Sequence, residues 1–203
     1  MDKKQVTKHS IIDQVNMDAI EGFCRQVYYC DPYTARHAEH VADLMAGLAA
    51  QMSMSTEEIS MAYVVGLVHD IGKIKTPESI LTKPDRLTEE EYQIMKRHST
   101  EGAEMLADLE GTESIVVIMR HHHERFDGRG YPDGIKGEAI PLFSRMLAVC
   151  DSFDAMTTNR CYRDPINLEE CLIEIKNCAG GQFDPQLCNV FLEFIEERFG
   201  YTL

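Results

Sequence analysis

The sequence contains no long hydrophobic run and has little positive charge. No stretch of about 18 consecutive apolar residues occurs in the 203-residue chain, so the sequence predicts no membrane span. The 34 acidic residues outnumber the 20 Lys and Arg residues, and the formal net charge is −14. This balance argues against broad binding to nucleic-acid polymers or acidic membranes. A small anionic ligand remains compatible, because bound metal ions can concentrate positive charge locally.

The seven cysteines have no CxxC spacing, and their number is odd. This pattern argues against a disulfide framework and a zinc knuckle, and it favours a reducing compartment. Polar residues, not an apolar segment, follow residues 1–4, so we expect no secretory signal. These features predict a cytoplasmic protein.

Apolar residues recur at helical spacing along the chain, and no alternating strand pattern of any length is present. Capping boxes at residues 55–58, 88–91 and 167–170 predict three helix starts, and Asp184-Pro185 predicts another. We predict an all-α fold, a single compact domain of about seven to nine helices. Its parts are an N-terminal lead and helix over residues 1–30 and a catalytic domain over 31–203.

The most informative stretch is His69-Asp70, which follows the apolar residues 61–65. Such an apolar run is typical of a buried helix. Burying a carboxylate costs several kcal/mol unless it is paired or bound to metal, so Asp70 needs a partner. A metal ion would satisfy both residues, since His offers a neutral nitrogen and Asp can bridge two ions. For this pair alone, a buried histidine beside a capping aspartate stays an open alternative.

Four other segments also place His or Asp beside apolar positions. We prefer His37 to its neighbour His40, because His37 lies four residues before Val41 on the core side. His121 is explained by the dipole of a helix C-terminus. The candidate metal ligands are His37, His69, Asp70, His98, His122, His123 and Asp151. Nitrogen and oxygen ligands without cysteine suit iron or manganese, and zinc less strongly.

Two metal ions bridged by a carboxylate and a hydroxide are a common device for phosphate ester cleavage. Asp70 is the natural bridging carboxylate, because it is central in the sequence and adjacent to a histidine ligand. The bridging hydroxide would be a nucleophile at neutral pH. The sequence therefore predicts a binuclear phosphohydrolase centre.

A series of motifs in a fixed order covers roughly residues 31 to 192. The motifs are Asp31–His37, Val68–Lys73, Lys96–His98, His122–Pro132, Ile140–Leu142, Asp151–Arg163 and Gly181–Pro185. In this order they resemble the HD-GYP domain family, the branch of the HD phosphohydrolase superfamily that hydrolyses the bacterial second messenger cyclic di-GMP. The resemblance implies an HD-like helical core with two or three metal ions, commonly iron or manganese.

The resemblance also implies residue roles. The seven candidate ligands match the family's metal positions, and Lys73 matches a lysine that contacts the scissile phosphate. Arg160 and Arg163 match basic positions that hold the dinucleotide, and Arg145 supports the site or the ligand. The loop Gly128–Pro132, which includes Gly130 and Tyr131, matches a segment that shapes the substrate edge and is linked to protein partners.

One departure concerns the number of metal ions. Family members with three metals carry a Glu four residues before the first histidine, where this chain has Tyr33. Tyrosine is a poor replacement, so we predict two divalent ions, Fe or Mn. Cys161 is a second departure, because it replaces the proline that usually precedes the tyrosine of that motif.

These observations predict a metal-dependent phosphodiesterase that hydrolyses cyclic di-GMP to pGpG, with Asp70 and Lys73 as catalytic residues; further hydrolysis to GMP is an open alternative. Two alternative functions also remain open. One is a non-catalytic cyclic dinucleotide sensor or partner-binding module, and the other is an HD phosphohydrolase for another cyclic nucleotide. A homodimer is compatible with the sequence, as are a stand-alone enzyme and a fragment.

Overall fold

The structure, a computed structural model, describes residues 17–158 and 165–200. Within these ranges the chain is helical, and the only strand-like feature is an isolated bridge between Ala179 and Phe183. The all-α prediction is confirmed. The helices are α1 Met17–Cys30, α2 Pro32–Gln51, α3 Thr56–Val68, α4 Glu78–Leu81, α5 Glu89–Met95, α6 His98–Leu106, α7 Glu113–Arg120, α8 Leu142–Thr157, α9 Leu168–Asn177 and α10 Pro185–Phe199. Short 3₁₀ helices cover Ile71–Lys75 and Gly137–Ala139.

Local side-chain bonds explain where several helices begin. The Ser55 hydroxyl accepts a hydrogen bond from the Glu58 amide at 3.2 Å, and the Glu58 carboxylate accepts one from the Ser55 amide at 2.9 Å. Thr88 and Glu91 form the same reciprocal pair at the start of α5. These bonds satisfy amides that the first helical turn leaves without a partner. Two of the predicted capping boxes are therefore present, and Asn167 caps α9 by accepting from the Glu170 amide.

The core is built around the close contact of α2 with α3. Gly66 makes the approach possible, because a Cβ atom at that position would lie 2.4 Å from Ala42 Cα. Val41, Met45 and Val65 are completely buried at this contact. Helix α8 also packs on α2, and α6 packs on both α7 and the first 3₁₀ helix. The ends of α3, α6 and α7 are thereby brought together beside α2 and α8.

The element boundaries differ from the predicted ones at the candidate ligands. Helix α3 ends at Val68, so His69 is its C-cap and Asp70 precedes the 3₁₀ helix. His98 begins α6 and does not extend α5, and α7 ends before His122. Apolar periodicity finds the helices but cannot place their last turn, where tertiary contacts decide.

The polar stretch 74–87 contains α4 and the end of the first 3₁₀ helix. The predicted N-terminal helix within residues 1–30 is present from Met17, and residues 1–16 lie outside the described ranges. None of the helices that the structure describes is long and apolar enough to cross a bilayer.

Candidate metal centre

Three histidines from two helix ends form the first half of the candidate centre. His98 opens α6, whereas His122 and His123 follow the end of α7. The Nε2 atom of His98 lies 3.3 Å from His122 Nε2 and 3.0 Å from His123 Nε2. One nitrogen from each ring could therefore contact a single ion.

His37, His69 and Asp70 form the second half, and one ligand atom from each lies close enough to share an ion. His37 comes from the second turn of α2, and all three side chains are at most 5% exposed. Asp151 of α8 joins this half, because its Oδ1 lies 3.0 Å from His37 Nε2. The centre thus has two neighbouring clusters drawn from α2, α3, α6, α7 and α8.

Asp70 stands between the two clusters. Its Oδ2 atom lies 3.4 Å from His69 Nε2 and 3.8 Å from His37 Nε2. Its Oδ1 atom lies 3.5 Å from His98 Nε2 in the other cluster. The two oxygens of one carboxylate therefore face different histidine groups.

The backbone fixes the tautomer of three of these histidines. The Nδ1 atoms of His69, His98 and His122 lie 2.7, 2.8 and 2.5 Å from the carbonyl oxygens of Gly66, Met95 and Met119. A carbonyl oxygen only accepts hydrogen bonds, so each Nδ1 carries the proton and each Nε2 keeps its lone pair. In every case the carbonyl belongs to the residue three positions earlier.

These lone pairs show whether a cation fits the residues present. His69 Nε2 is buried and has no hydrogen-bond partner in the part of the chain that the structure describes. His98 Nε2 and His122 Nε2 face each other at 3.3 Å although neither carries a proton. Burying a lone pair without a donor, as at His69, or two facing lone pairs, as between His98 and His122, is costly, whereas a divalent ion would satisfy all of them. The donor set therefore fits a bound metal.

The charge states of the first cluster agree with this fit. Burial, together with the neighbouring rings of His98 and His69, lowers the pKa of His122 to about 3. Burial likewise lowers the pKa of His98 and His123. All three rings are therefore neutral at pH 7, which is the form that binds metal ions.

The second cluster is anionic. Burial raises the pKa of Asp70, but the Lys73 ammonium and the His69 ring outweigh it and hold that pKa well below its usual range. For His37, burial lowers the pKa, but hydrogen bonds to Asp151 and Asp154 outweigh it and raise the pKa to about 9. Without metal, His37 is therefore a cation within a carboxylate cluster.

The predicted catalytic lysine lies directly beside the bridging position. Lys73 Nζ is 2.6 Å from Asp70 Oδ2, and its side chain is 23% exposed. It therefore reaches both Asp70 and solvent. This is the place where an anionic ligand could approach the two clusters.

The predicted substrate residues are spread around the centre. The Tyr131 ring stacks on His123 with a centroid distance of 4.9 Å, so the predicted loop adjoins the first cluster. Gly130 is packed so closely that a Cβ atom would lie 2.3 Å from the Arg125 amide nitrogen. Arg145 pairs with Asp184 and donates to the Ile140 carbonyl at 2.9 Å, so its contact with substrate stays a prediction. Arg160 and Arg163 lie outside the described residues.

Two buried carboxylates were missed in the sequence. Asp154 Oδ2 lies 2.6 Å from His37 Nδ1, one helical turn beyond Asp151 on α8. Glu124 Oε1 accepts from the amides of Asp133 and Gly134 at 2.7 and 2.9 Å and so holds the glycine-rich loop. The available signal was an acidic residue inside an apolar helix for Asp154, and an acidic residue directly after three histidines for Glu124.

A small polar cleft of about 260 Å³, partly open to solvent, lies beside the centre. His123, Asp151, Arg125 and Gln182 are among its lining residues. The Arg125 guanidinium is fixed there by Asp127 at 2.8 Å and by the Gln182 side-chain oxygen at 3.3 Å. The cleft lies between the segment 122–125, which follows α7, and the turn after α9 that carries Gln182.

Comparison with known proteins is consistent with this geometry. A family model described as HD domain matches residues 27–187. A cyclic di-GMP phosphodiesterase of Pseudomonas aeruginosa is 41% identical over 81% of this chain and 40% of its own length. The Xanthomonas campestris cyclic di-GMP phosphodiesterase response regulator RpfG is 34% identical over 95% of this chain and 51% of its own length. A Vibrio cholerae 3'3'-cGAMP-specific phosphodiesterase is 40% identical over 84% of this chain and 40% of its own length.

Solved structures support the fold. The crystal structure of a cyclic GMP-AMP-specific phosphodiesterase from V. cholerae has a TM-score of 0.68 and 20% identity, covering 90% of this chain and 49% of that one. The HD domain of the Listeria monocytogenes phosphodiesterase PgpH, in complex with cyclic di-AMP, has a TM-score of 0.64 and 17% identity, covering 90% of this chain and 99% of that one. The chain spans about half the length, or somewhat less, of the curated relatives it matches. The chain therefore belongs to the HD domain family, and its resemblance to the HD-GYP branch is confirmed.

Proposed function

We propose that this chain is a metal-dependent phosphodiesterase that hydrolyses cyclic di-GMP to pGpG, with the assay below deciding whether GMP follows. The observation that carries the proposal is the position of Asp70, whose two oxygens face two different histidine clusters. A carboxylate in that position suits a centre with two ions, and such centres cleave phosphate esters. The names of the relatives supply the substrate class.

The proposed metal ligands divide into two groups. His37, His69 and Asp151 would hold one ion, and His98, His122 and His123 would hold the other, with Asp70 shared between them. Two divalent ions, iron or manganese, would lower the pKa of a water molecule so that it loses a proton and can attack a phosphodiester. They would also offset the negative charge on the phosphate oxygens. The absence of cysteine from both groups supports iron or manganese.

The protein's own residues bind and orient the substrate in this proposal. Lys73 supplies an ammonium group next to Asp70, where it can bind a non-bridging oxygen of the scissile phosphate. Tyr131 offers a ring at the edge of the first cluster for contact with a base. Arg145, Arg160, Arg163 and Gly130 keep their predicted substrate roles as proposals.

Tyr33 supports a count of two ions. It lies four residues before His37 on α2, where the family members with three metals carry Glu. Its phenol oxygen lies 3.5 Å from Thr158 Oγ1, and the residue is 37% exposed. A neutral phenol is a weaker ligand for a divalent ion than a carboxylate, so we expect no third ion there.

The proposal also covers the location of the enzyme and its partners. We expect a cytoplasmic protein whose loop Gly128–Pro132 contacts a protein partner, and a homodimer is compatible with the proposal. The domain division at residue 31 is also a proposal. Selectivity needs a direct test, because relatives named for cyclic di-GMP and for 3'3'-cGAMP are similar to this chain to nearly the same extent.

The test combines metal analysis with an anaerobic assay. Protein loaded with iron or manganese would be offered cyclic di-GMP or 3'3'-cGAMP, and the linear and mononucleotide products would be followed. We expect about two metal ions per chain and linear pGpG. Asp70→Ala should lose both metal and turnover, whereas Asp133→Asn, at a surface ion pair with Arg120, should keep both.

Metal without turnover would favour the sensor hypothesis. Turnover of 3'3'-cGAMP alone would favour the alternative substrate. Protein without metal would contradict the proposed centre.

A further inference from the structure

The histidines of the centre differ in the group that accepts the hydrogen bond from Nδ1. His69, His98 and His122 each direct Nδ1 to a neutral backbone carbonyl. His37 instead directs Nδ1 to the Asp154 carboxylate, at 2.6 Å. Among these four imidazoles, His37 is therefore the one oriented by a charged group.

Asp154 meets the His37 ring at Nδ1, whereas Asp70 and Asp151 approach the same ring at Nε2. It is buried on α8, and Oδ2 receives the His37 bond. Oδ1 lies 3.1 Å from Nδ1 of His40, whose side chain is 48% exposed. The Thr158 hydroxyl lies 3.3 Å from Oδ2 and 2.6 Å from the Asp154 carbonyl oxygen. These contacts hold the carboxylate against His37.

A carboxylate behind a metal-binding imidazole fixes the ring's tautomer and makes the outer nitrogen a stronger electron donor. The His37 cluster also contains Asp70 Oδ2 and Asp151, whereas the other cluster contains three neutral rings and the second Asp70 oxygen. The His37 cluster is the more anionic of the two. It should therefore bind a hard divalent cation more tightly.

We propose that Asp154 is a positioning residue that makes the two metal positions unequal, so that the His37 position fills first. The inference rests on the metal centre under the proposed function. It assigns a role to a residue outside the predicted ligand set. It also explains His40, which shares Asp154 with His37 and serves as a second donor to that carboxylate.

The test is a calorimetric titration of metal-free protein with Mn²⁺. Asp154→Asn keeps an oxygen that can accept from His37 but removes the charge. We expect wild-type protein to show two unequal affinities, and the variant to lose about 10- to 100-fold in the tighter one. The weaker affinity should not change. A general loss of stability would affect both affinities, so this selective effect separates positioning from a purely structural role.

Asp133→Asn is the matched control, because Asp133 Oδ2 lies 3.0 Å from a histidine outside the centre, His121 Nε2. It should bind Mn²⁺ as wild-type protein does. If Asp154→Asn fails to fold, two ligand variants test instead whether the His37 position is the one that binds metal more tightly. His98→Ala should keep the tighter affinity, and His37→Ala should lose it.

The outcomes separate this inference from the proposed function. Fewer than two ions in wild-type protein would overturn the centre and the inference together. Two ions in wild-type protein, with both affinities unchanged or equally weakened in Asp154→Asn, would overturn the inference alone. Loss of the tighter affinity in His98→Ala would do the same.

Discussion

At the scale of single residues, Lys73 and Asp70 form the most consequential contact of the centre. Lys73 Nζ and Asp70 Oδ2 are 2.6 Å apart, and Asp70 is almost completely buried. The ammonium stabilises the ionised carboxylate and also lies beside the space between the clusters. Under the proposed function, one side chain thus supports a ligand and faces the substrate.

Lys73→Met should therefore lower kcat by about 10²- to 10³-fold, the usual effect of removing one charge-stabilising donor. Metal content should fall much less, because the seven proposed ligands remain. Lys75→Met, at an exposed position on the same 3₁₀ helix, is the control and should behave as wild type. Equal metal loss and activity loss in Lys73→Met would show that the lysine acts only through Asp70.

Arg160→Ala extends this comparison to the segment outside the described residues. We expect it to weaken substrate binding more than it changes metal content, because the family resemblance assigns Arg160 to the dinucleotide. Metal analysis and KM measured on the same preparation would check the division of roles. A metal loss as large as that of Asp70→Ala would contradict it.

At the scale of elements, the centre depends on how closely the first 3₁₀ helix approaches α6. Gly72 is buried there, and a Cβ atom at its position would lie 2.0 Å from the His98 carbonyl oxygen and 2.6 Å from the Gly102 amide nitrogen. Both contacts involve backbone, which cannot rotate away as a side chain can. The glycine therefore sets the distance between Asp70 and His98.

Gly72→Ala should push α6 away from the 3₁₀ helix and so disturb both clusters. We expect a loss of about 1–3 kcal/mol in the free energy of unfolding, typical of overpacking, together with weaker metal binding. Gly22→Ala is the matched control, because the position on α1 has no atom within 4 Å of the added Cβ. Urea unfolding and metal titration of both variants would check this, and unchanged metal affinity in Gly72→Ala would contradict it.

The same elements show what the sequence could predict. Capping chemistry is local, so the starts of α3 and α5 were predicted correctly from Ser55 and Thr88. The ends of α3 and α7 depend on which carbonyls the histidine side chains bind, and periodicity carries no such information. The seven proposed ligands were selected because polar residues beside apolar ones are unusual. Asp154 was missed because its partner, His37, is 117 residues away in the chain.

At the scale of the whole molecule, the histidines of the metal-free centre make the free energy of unfolding depend on pH in two opposite directions. The pKa of His122 is lowered to about 3, and those of His98 and His123 are also lowered. Between these values and about pH 6.5 the unfolded chain therefore binds more protons than the folded state does. Stability should therefore fall as the pH drops from about 6.5 towards 3. The pKa of His37 is raised to about 9, so its contribution is present below about pH 6.5 and is lost as the pH rises towards 9.

Metal-free protein should consequently be most stable near pH 6.5. Each histidine contributes a slope of at most about 1.4 kcal/mol per pH unit within its window. Urea unfolding of chelator-treated protein at pH 5, 6.5 and 8.5 would check the prediction. A stability that rises steadily from pH 6.5 to 8.5 would contradict the part assigned to His37.

The backbone bonds behind His69, His98 and His122 have a further consequence for the stoichiometry of metal uptake. Each of these rings already presents an Nε2 lone pair, and the pKa values of His98 and His122 are lowered by burial, so ions can bind these two rings without displacing a proton. The pKa of His37 is raised to about 9, so this ligand is a cation at pH 7. The ligands should then release about one proton, apart from any proton lost by a bridging water, where four initially charged histidines would release about four. Calorimetry in buffers of different ionisation enthalpy would count that proton and so reveal how far the empty protein is prepared for its ions.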